Sequence, residues 1–291
     1  MKSARAEAIA YGAATIVNAI ATGQGAAFGV DLWTKAQVEL TDEPKVIRGE
    51  ITSDPSESAL LIERTAARVL QHFKVEKQFG AKIKTYSNIP IARGLKSSSV
   101  AANAVTLATV AALDKSLDDF ALINIGIDAA FDAKVTITGA FDDACASYFG
   151  GVVITDNLKR KLISRLSLPE GLSVLFHVPA KKAYTGKSDV KKLKTLAPLV
   201  KIAYKEASAG NFWTALSLNG IIYSSALGYN SSVALDAMNA GAIAAGLCGK
   251  GPAVTAVVSD ETFDQVKAAL QHHKGEILPA GMNLEKAKAV T

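Results

Sequence analysis

Asp142 and Asp143 stand side by side in a mostly apolar run, Thr138-Gly139-Ala140-Phe141-Asp142-Asp143-Ala144-Cys145-Ala146-Ser147-Tyr148-Phe149-Gly150-Gly151. Carboxylates in such a setting are costly unless paired, hydrogen-bonded or metal-bound. Two readings are open and compatible. Asp142 caps a helix whose interior is Ala144 to Phe149, ended by Gly150. Alternatively, one carboxylate meets a substrate hydroxyl as base or orienter while the other caps. A second chemical stretch lies upstream, Pro90-Ile91-Ala92-Arg93-Gly94-Leu95-Lys96-Ser97-Ser98-Ser99. Pro90 ends the alternating run before it, and Gly94 permits a free turn or close approach to a ligand. The serines open a segment with apolar residues at 100, 101, 104, 105, 107, 108, 111 and 112, a helical spacing. A helix start offers unpaired N–H groups and the positive end of its dipole; with serine hydroxyls and Lys96 it forms a phosphate cradle. The plainer reading is serine caps behind an ordinary turn glycine.

Further stretches surround these two. Ala21-Thr22-Gly23-Gln24-Gly25-Ala26-Ala27-Phe28-Gly29 is too glycine-rich for a helix and predicts two strands about a tight loop, either a hairpin or a loop whose N–H groups meet a polar ligand. Gly246-Leu247-Cys248-Gly249-Lys250-Gly251-Pro252 is a glycine loop in front of a strand. Gly186-Lys187-Ser188 imitates the end of a Walker loop, but position 181 is lysine where the first glycine belongs, so that spacing fails.

The elements that must position these residues follow from periodicity. Leu32–Leu40, Ile47–Ile51, Ala81–Tyr86, Gly151–Thr155, Leu172–Val178 and Ala253–Ser259 are predicted strands. Ser53-Asp54-Pro55-Ser56 is a helix-entry signal for a helix over Glu57–Phe73. Helices are also predicted over Val100–Leu113, Phe120–Lys134, residues 190–227, Ala234–Ala244 and Phe263–His272.

With 291 residues and 49% hydrophobic content, the chain can bury one large core or two modest ones. Two separated cysteines and four histidines give no zinc spacing, which favours a reducing compartment and no structural metal. The N-terminal stretch predicts no signal peptide, and no apolar run reaches membrane-spanning length, so a cytoplasmic protein without membrane contact is expected. The net charge of +5 concentrates between Lys159 and Lys194, where ten Lys or Arg face only Glu170 and Asp189. That basic linker lacks the interleaved aromatics of a single-strand binder, so no nucleic-acid partner is expected. The oligomeric state is not readable.

Pro90–Ser99 resembles the phosphate-loop motif of the GHMP kinases, Pro-x-x-x-Gly-Leu-x-Ser-Ser. Gly246–Pro252 resembles their third motif, and the region ending Tyr148-Phe149-Gly150-Gly151 resembles their central Asp-containing segment. Within that superfamily, Asn18–Gly29, Gly94–Ser99 and Thr138–Asp143 are similar to the archaeal-type shikimate kinases. The resemblance implies an α+β, two-domain GHMP-kinase fold: a ribosomal-protein-S5-like N-terminal domain over 1–157 that binds ATP, and a ferredoxin-like C-terminal domain over 158–291. It implies ATP-dependent phosphorylation of shikimate on the route to chorismate; homoserine or mevalonate kinase is the alternative, and a non-catalytic nucleotide-binding relative a further one. Pro90, Ile91, Ala92, Arg93, Gly94, Leu95, Lys96, Ser97, Ser98 and Ser99 would wrap the ATP phosphates. Ser98 or Ser99 would hold Mg²⁺, a hard ion. Asp143, with Asp142 one residue off, falls where mevalonate-type relatives place the catalytic aspartate. Thr22, Gly23, Gln24, Gly25, Lys182 and Thr185 would face shikimate, whose carboxylate calls for a cation. The N-terminal lysine of mevalonate-type relatives is missing from Ala10-Tyr11-Gly12-Ala13-Ala14-Thr15.

Overall fold

Two long strands, β1 (Arg5–Val17) and β2 (Gln24–Thr41), pair antiparallel along most of their length around the connecting residues 18–23. The structure, a computed structural model, describes residues 4–183 and 190–290. The expected glycine-loop strand and the Leu32–Leu40 strand are one continuous element. In its second half Leu32, Thr34, Ala36, Val38 and Leu40 alternate into the core.

β3 (Ile47–Ile51) runs parallel to β4 (Gly80–Ser87), with helix α1 (Leu60–His72) as the crossover. The helix begins later than Glu57. Asp54 spends its carboxylate on Ser56 in a local turn, with Oδ1 accepting from the Ser56 hydroxyl at 2.6 Å, and the helix is entered through Ala59. Helices α2 (Ser97–Ala112), α3 (Asp119–Asp132) and α4 (Phe141–Phe149) pack with α1 on this sheet. Helix α2 is buried nearly all round rather than on one face. Its Thr106 and Thr109 hydroxyls bond back to the carbonyls of Ala102 and Val105, so they enter the core without unpaired donors.

β5 (Val152–Asp156) and β6 (Lys161–Leu166) form a hairpin that joins the same sheet through β2. Part of the expected basic linker is therefore a strand, and a division after residue 157 falls in the turn of this hairpin. The second sheet has the order β10 (Glu276–Gly281), β7 (Leu172–Val178), β9 (Val254–Ser259), β8 (Ala244–Leu247), all antiparallel. The chain then returns to the first sheet, where β11 (Lys288–Val290) pairs with β1.

The predicted helical stretch 190–227 is three helices. These are α5 (Val190–Lys194), α6 (Ala197–Ser208) and α7 (Phe212–Leu227), separated by Thr195-Leu196, with Pro198 in the first turn of α6, and by Ala209-Gly210-Asn211. The helix expected over Ala234–Ala244 is shorter, α8 (Ser232–Asn239), because Gly241 turns the chain at φ +100° and Ala244 already belongs to β8. Helix α9 (Phe263–Gln271) packs on β7 and β9. Helix α7 touches both β1 and β8, so one apolar cluster runs from Ala8 through Phe141 and Phe176 to Val257. The architecture is α+β, with two sheets and their helices.

Candidate active site

Helix α4 is short, and each of its residues is buried, Asp142 and Asp143 included. Neither aspartate caps it, which corrects the capping reading. The N-cap is Ala140, in the left-handed region at φ 49°, and no side chain caps the helix. Both carboxylates lie in the first turn, where the helix dipole favours negative charge. Asn103 of α2 fixes α4 from behind, donating through Nδ2 to the Ala144 carbonyl at 2.9 Å and to Ser147 Oγ at 3.1 Å.

The two aspartates do different things. Asp142 Oδ1 accepts from Asn157 Nδ2 at 2.7 Å, and Asn157 is itself held by Thr155 Oγ1 at 2.7 Å. Its other oxygen lies against Gly25, where an added Cβ would stand 2.4 Å from Oδ2. Burial first, and then the neighbouring Asp143 charge, push Asp142 up to about 7. Asp143 Oδ2 lies 3.1 Å from Lys96 Nζ, with only 10% of the lysine and 11% of the aspartate side chain exposed. Asp143 Oδ1 is buried and has no hydrogen-bond partner among the described residues. Burial pushes the Lys96 ammonium down, but the fields of Asp143, Cys248 and Asp142 outweigh it and the net direction is up. The cation missing from the N-terminal strand is thus supplied from the serine loop.

Lys96 is the N-cap of α2 at φ 63°, and no side chain caps this helix either. Ala92 shares the left-handed conformation at φ 57°. Four non-glycine residues of the cavity wall, Ala92, Lys96, Lys134 and Ala140, thus hold a conformation that L side chains avoid. The serine loop is clamped from the far end of the chain. The Arg93 carbonyl accepts from Ala253 N at 3.1 Å, and a Cβ on Gly94 (φ +89°) would come within 2.5 Å of the Cys248 carbonyl oxygen. Asn18 ties in the first loop, donating to the Gly249 carbonyl at 3.0 Å.

A cavity of about 630 Å³ opens above these groups. It is lined by Ile91, Ala92, Gly94, Lys96, Ser97, Ser98 and Ser99 of the serine loop and by Asp142 and Asp143. Sequence reasoning missed several further parts of the wall: Thr15, Asn18, Glu57, Lys134 and Lys250 among them. Asn18 stood just before the first glycine loop and Lys250 inside the last, but nothing local shows that the two stretches meet.

The GHMP kinases N terminal domain family matches residues 61–151. The shikimate kinase of Methanosarcina mazei is 44% identical over 278 residues, 95% of this chain and 94% of that protein. The shikimate kinase of Methanococcoides burtonii is 45% identical over 258 residues, 89% of this chain and 88% of that one. This chain belongs to the archaeal shikimate kinase family of GHMP kinases. The fold agrees: the homoserine kinase structure from Cytophaga hutchinsonii superposes with a TM-score of 0.78 at 17% identity, covering 100% of this chain and 98% of that one. Membership of a kinase family carries ATP use with it.

The remaining sequence-predicted positions of this GHMP kinase lie elsewhere. Pro90, Arg93 and Leu95 are in the serine loop but outside the cavity wall, and Leu95 is buried. Thr22, Gly23, Gln24 and Gly25 also lie outside it. Thr22 Oγ1 closes the turn onto Gln24, and Gly25 seats Asp142. Lys182 is ion-paired with Asp54 at 2.9 Å and with Glu57, the latter a wall residue. Thr185 and the Gly186-Lys187-Ser188 imitation fall outside the described residues.

Proposed function

We propose that this kinase transfers the γ-phosphoryl group of ATP to the 3-hydroxyl of shikimate. Identity above 40% over nearly the whole chain to proteins named shikimate kinase carries the substrate. The Lys96–Asp143 pair at the mouth of α2 supports the chemistry.

In this reading Ser97, Ser98, Ser99 and the uncapped start of α2 receive the nucleotide phosphates. The hydroxyls of Ser98 and Ser99 and the unpartnered Asp143 Oδ1 are hard oxygen donors on one cavity, which fits Mg²⁺. Among the described residues no group of three or more His, Cys, Asp or Glu could hold a metal. The ion would therefore share its coordination with phosphate oxygens and neutralise their charge. Asp143 orients the acceptor hydroxyl and takes its proton. The P–O bond to the shikimate 3-oxygen forms as the P–O bond to ADP breaks. Lys96 holds Asp143 in place. Asp142 stands behind it, with Asn157 and Gly25 as its seat.

We place the division between the ATP-binding and C-terminal units near the β5–β6 hairpin. The test of function is ADP release with Mg-ATP and, separately, shikimate, homoserine and mevalonate. Turnover with shikimate alone is expected; turnover with another alcohol in its place would overturn the substrate and leave the family standing.

A further inference from the structure

Three lysines line the cavity among the described residues: Lys96, Lys134 and Lys250. Lys96 is paired with Asp143. Lys134 is exposed, just beyond the end of α3. Lys250 is different. Its Nζ is buried and makes no hydrogen bond among the described residues, and Lys250 belongs to the cavity wall. A buried ammonium without a hydrogen-bonded partner is costly, and the pull of Asp143 offsets only part of that cost.

Its location narrows what would. Lys250 sits between Gly249 and Gly251 in the loop that clamps the serine loop. An added Cβ on Gly249 would lie 2.6 Å from Lys96 Nζ, and one on Gly94 would lie 3.0 Å from the Gly251 carbonyl oxygen. The backbone on both sides of Lys250 therefore lies against the phosphate cradle. Burial, then the Lys96 charge, bring its ammonium down to about 7 against the opposing pull of Asp143, so all three groups share one field.

We propose that Lys250 is a binding residue for an anionic ligand oxygen at the reacting centre, and that this oxygen belongs to the phosphoryl group in transfer. The inference rests on the ATP-dependent reading above. A fixed cation beside a transferring phosphoryl group acts where charge is spread over its equatorial oxygens, and in a water-poor cavity it acts strongly. A substrate carboxylate offers the same chemistry to an ammonium, and the experiment separates the two sources.

Lys250→Met and Lys250→Arg are made in the full chain. Calorimetry reads their affinity for ADP, for ADP with fluoroaluminate, for shikimate and for shikimate methyl ester; kcat, KM and melting temperature are read alongside. Lys250→Met is expected to bind ADP and shikimate like the wild type. It should lose the affinity gained on adding fluoroaluminate, and its kcat should fall about a hundredfold, with part restored in Lys250→Arg. Weakened binding of shikimate but not of its methyl ester would keep Lys250 as the anion-binding group and overturn the phosphoryl assignment. Affinities and kcat all within twofold of wild type would overturn the proposal. So would parallel loss of every affinity together with melting temperature in both variants. Acetic anhydride labelling of Lys250 in the wild type needs no variant: ADP–fluoroaluminate should suppress it more than ADP does, and equal labelling would overturn the contact. Wild-type silence with shikimate would instead defeat the substrate assignment, and the labelling comparison would still read Lys250.

Discussion

At the scale of residues, the site sets two adjacent carboxylates to different tasks by giving them different neighbours. Asp143 has a cation on one oxygen and, among the described residues, no hydrogen-bond partner on the other. Asp143→Asn keeps the shape and removes the proposed proton acceptor, so turnover should fall by about a hundredfold or more while ATP still binds. Normal turnover in that variant, with loss in Asp142→Asn, would exchange their roles. Asp142 carries a stability signature of its own. Its folded carboxyl titrates at about 7 against a reference value of 3.8, so between those values the folded state holds more protons than the unfolded one. Stability from this group is therefore complete below about pH 4 and is lost as the pH rises through 7. Asp142→Asn should flatten that loss, and its advantage over wild type should grow to a few kcal/mol by pH 8. Urea unfolding of both proteins at pH 5 and pH 8 reads it; a gap that stays constant would show that Asp142 is not the titrating group.

At the scale of elements, catalytic placement depends on two uncapped helix starts held by left-handed residues. Helix α2 enters through Lys96 and α4 through Ala140, so both present their N–H ends to the cavity instead of to a side-chain cap. The turn into α2 is possible because Gly94 meets the Cys248 carbonyl with no Cβ between them. Gly94→Ala combines a positive φ with a backbone clash. It should cost more than about 1 kcal/mol in stability and raise the KM for ATP as the loop is pushed off its clamp. Wild-type nucleotide kinetics in a folded Gly94→Ala protein would show that the loop is seated by other means.

At the scale of the whole molecule, the end of the chain supports its middle. After β10 the backbone crosses back to the first sheet. Asn283 N donates to the Gly29 carbonyl at 3.0 Å, its carbonyl accepts from Gly151 N at 2.9 Å, and Ala287 N donates to the Tyr148 carbonyl at 2.7 Å. These bonds hold the C-terminal end of α4, the helix that carries Asp143 from its first turn. The Asn283 side chain, 5% exposed, folds the strap through Oδ1 to Glu285 N and Nδ2 to the Glu285 carbonyl. Asn283→Ala should cost about 1–3 kcal/mol and lower kcat, although it lies outside the cavity wall. Unchanged stability and kcat would mean that the Asn283–Glu285 turn does not support the site.

Much of this was present in the chain as a string. Short-range physics decides the strands whose apolar residues alternate and the helices whose spacing is helical. It also decides the serine loop, because Pro90, Gly94 and three serines act on their own neighbourhood. The same residues, taken as ordered motifs, carried the resemblance to GHMP kinases. Tertiary structure decided what depends on residues meeting across the fold. Strands β8, β10 and β11 are short or at an edge, and β10 and β11 pair with partners far away in sequence, so no local period announces them. Asp54 looked like a cap and became a turn, because its own Ser56 was the nearer donor. Asp142 likewise looked like a cap, and Asn157 and Gly25 took it instead. The cation beside Asp143 came from a loop dozens of residues upstream, and Lys250 reached the same cavity from the second sheet. The charge balance of a buried site is a sum over neighbours in space, and the order of residues along the chain does not contain it.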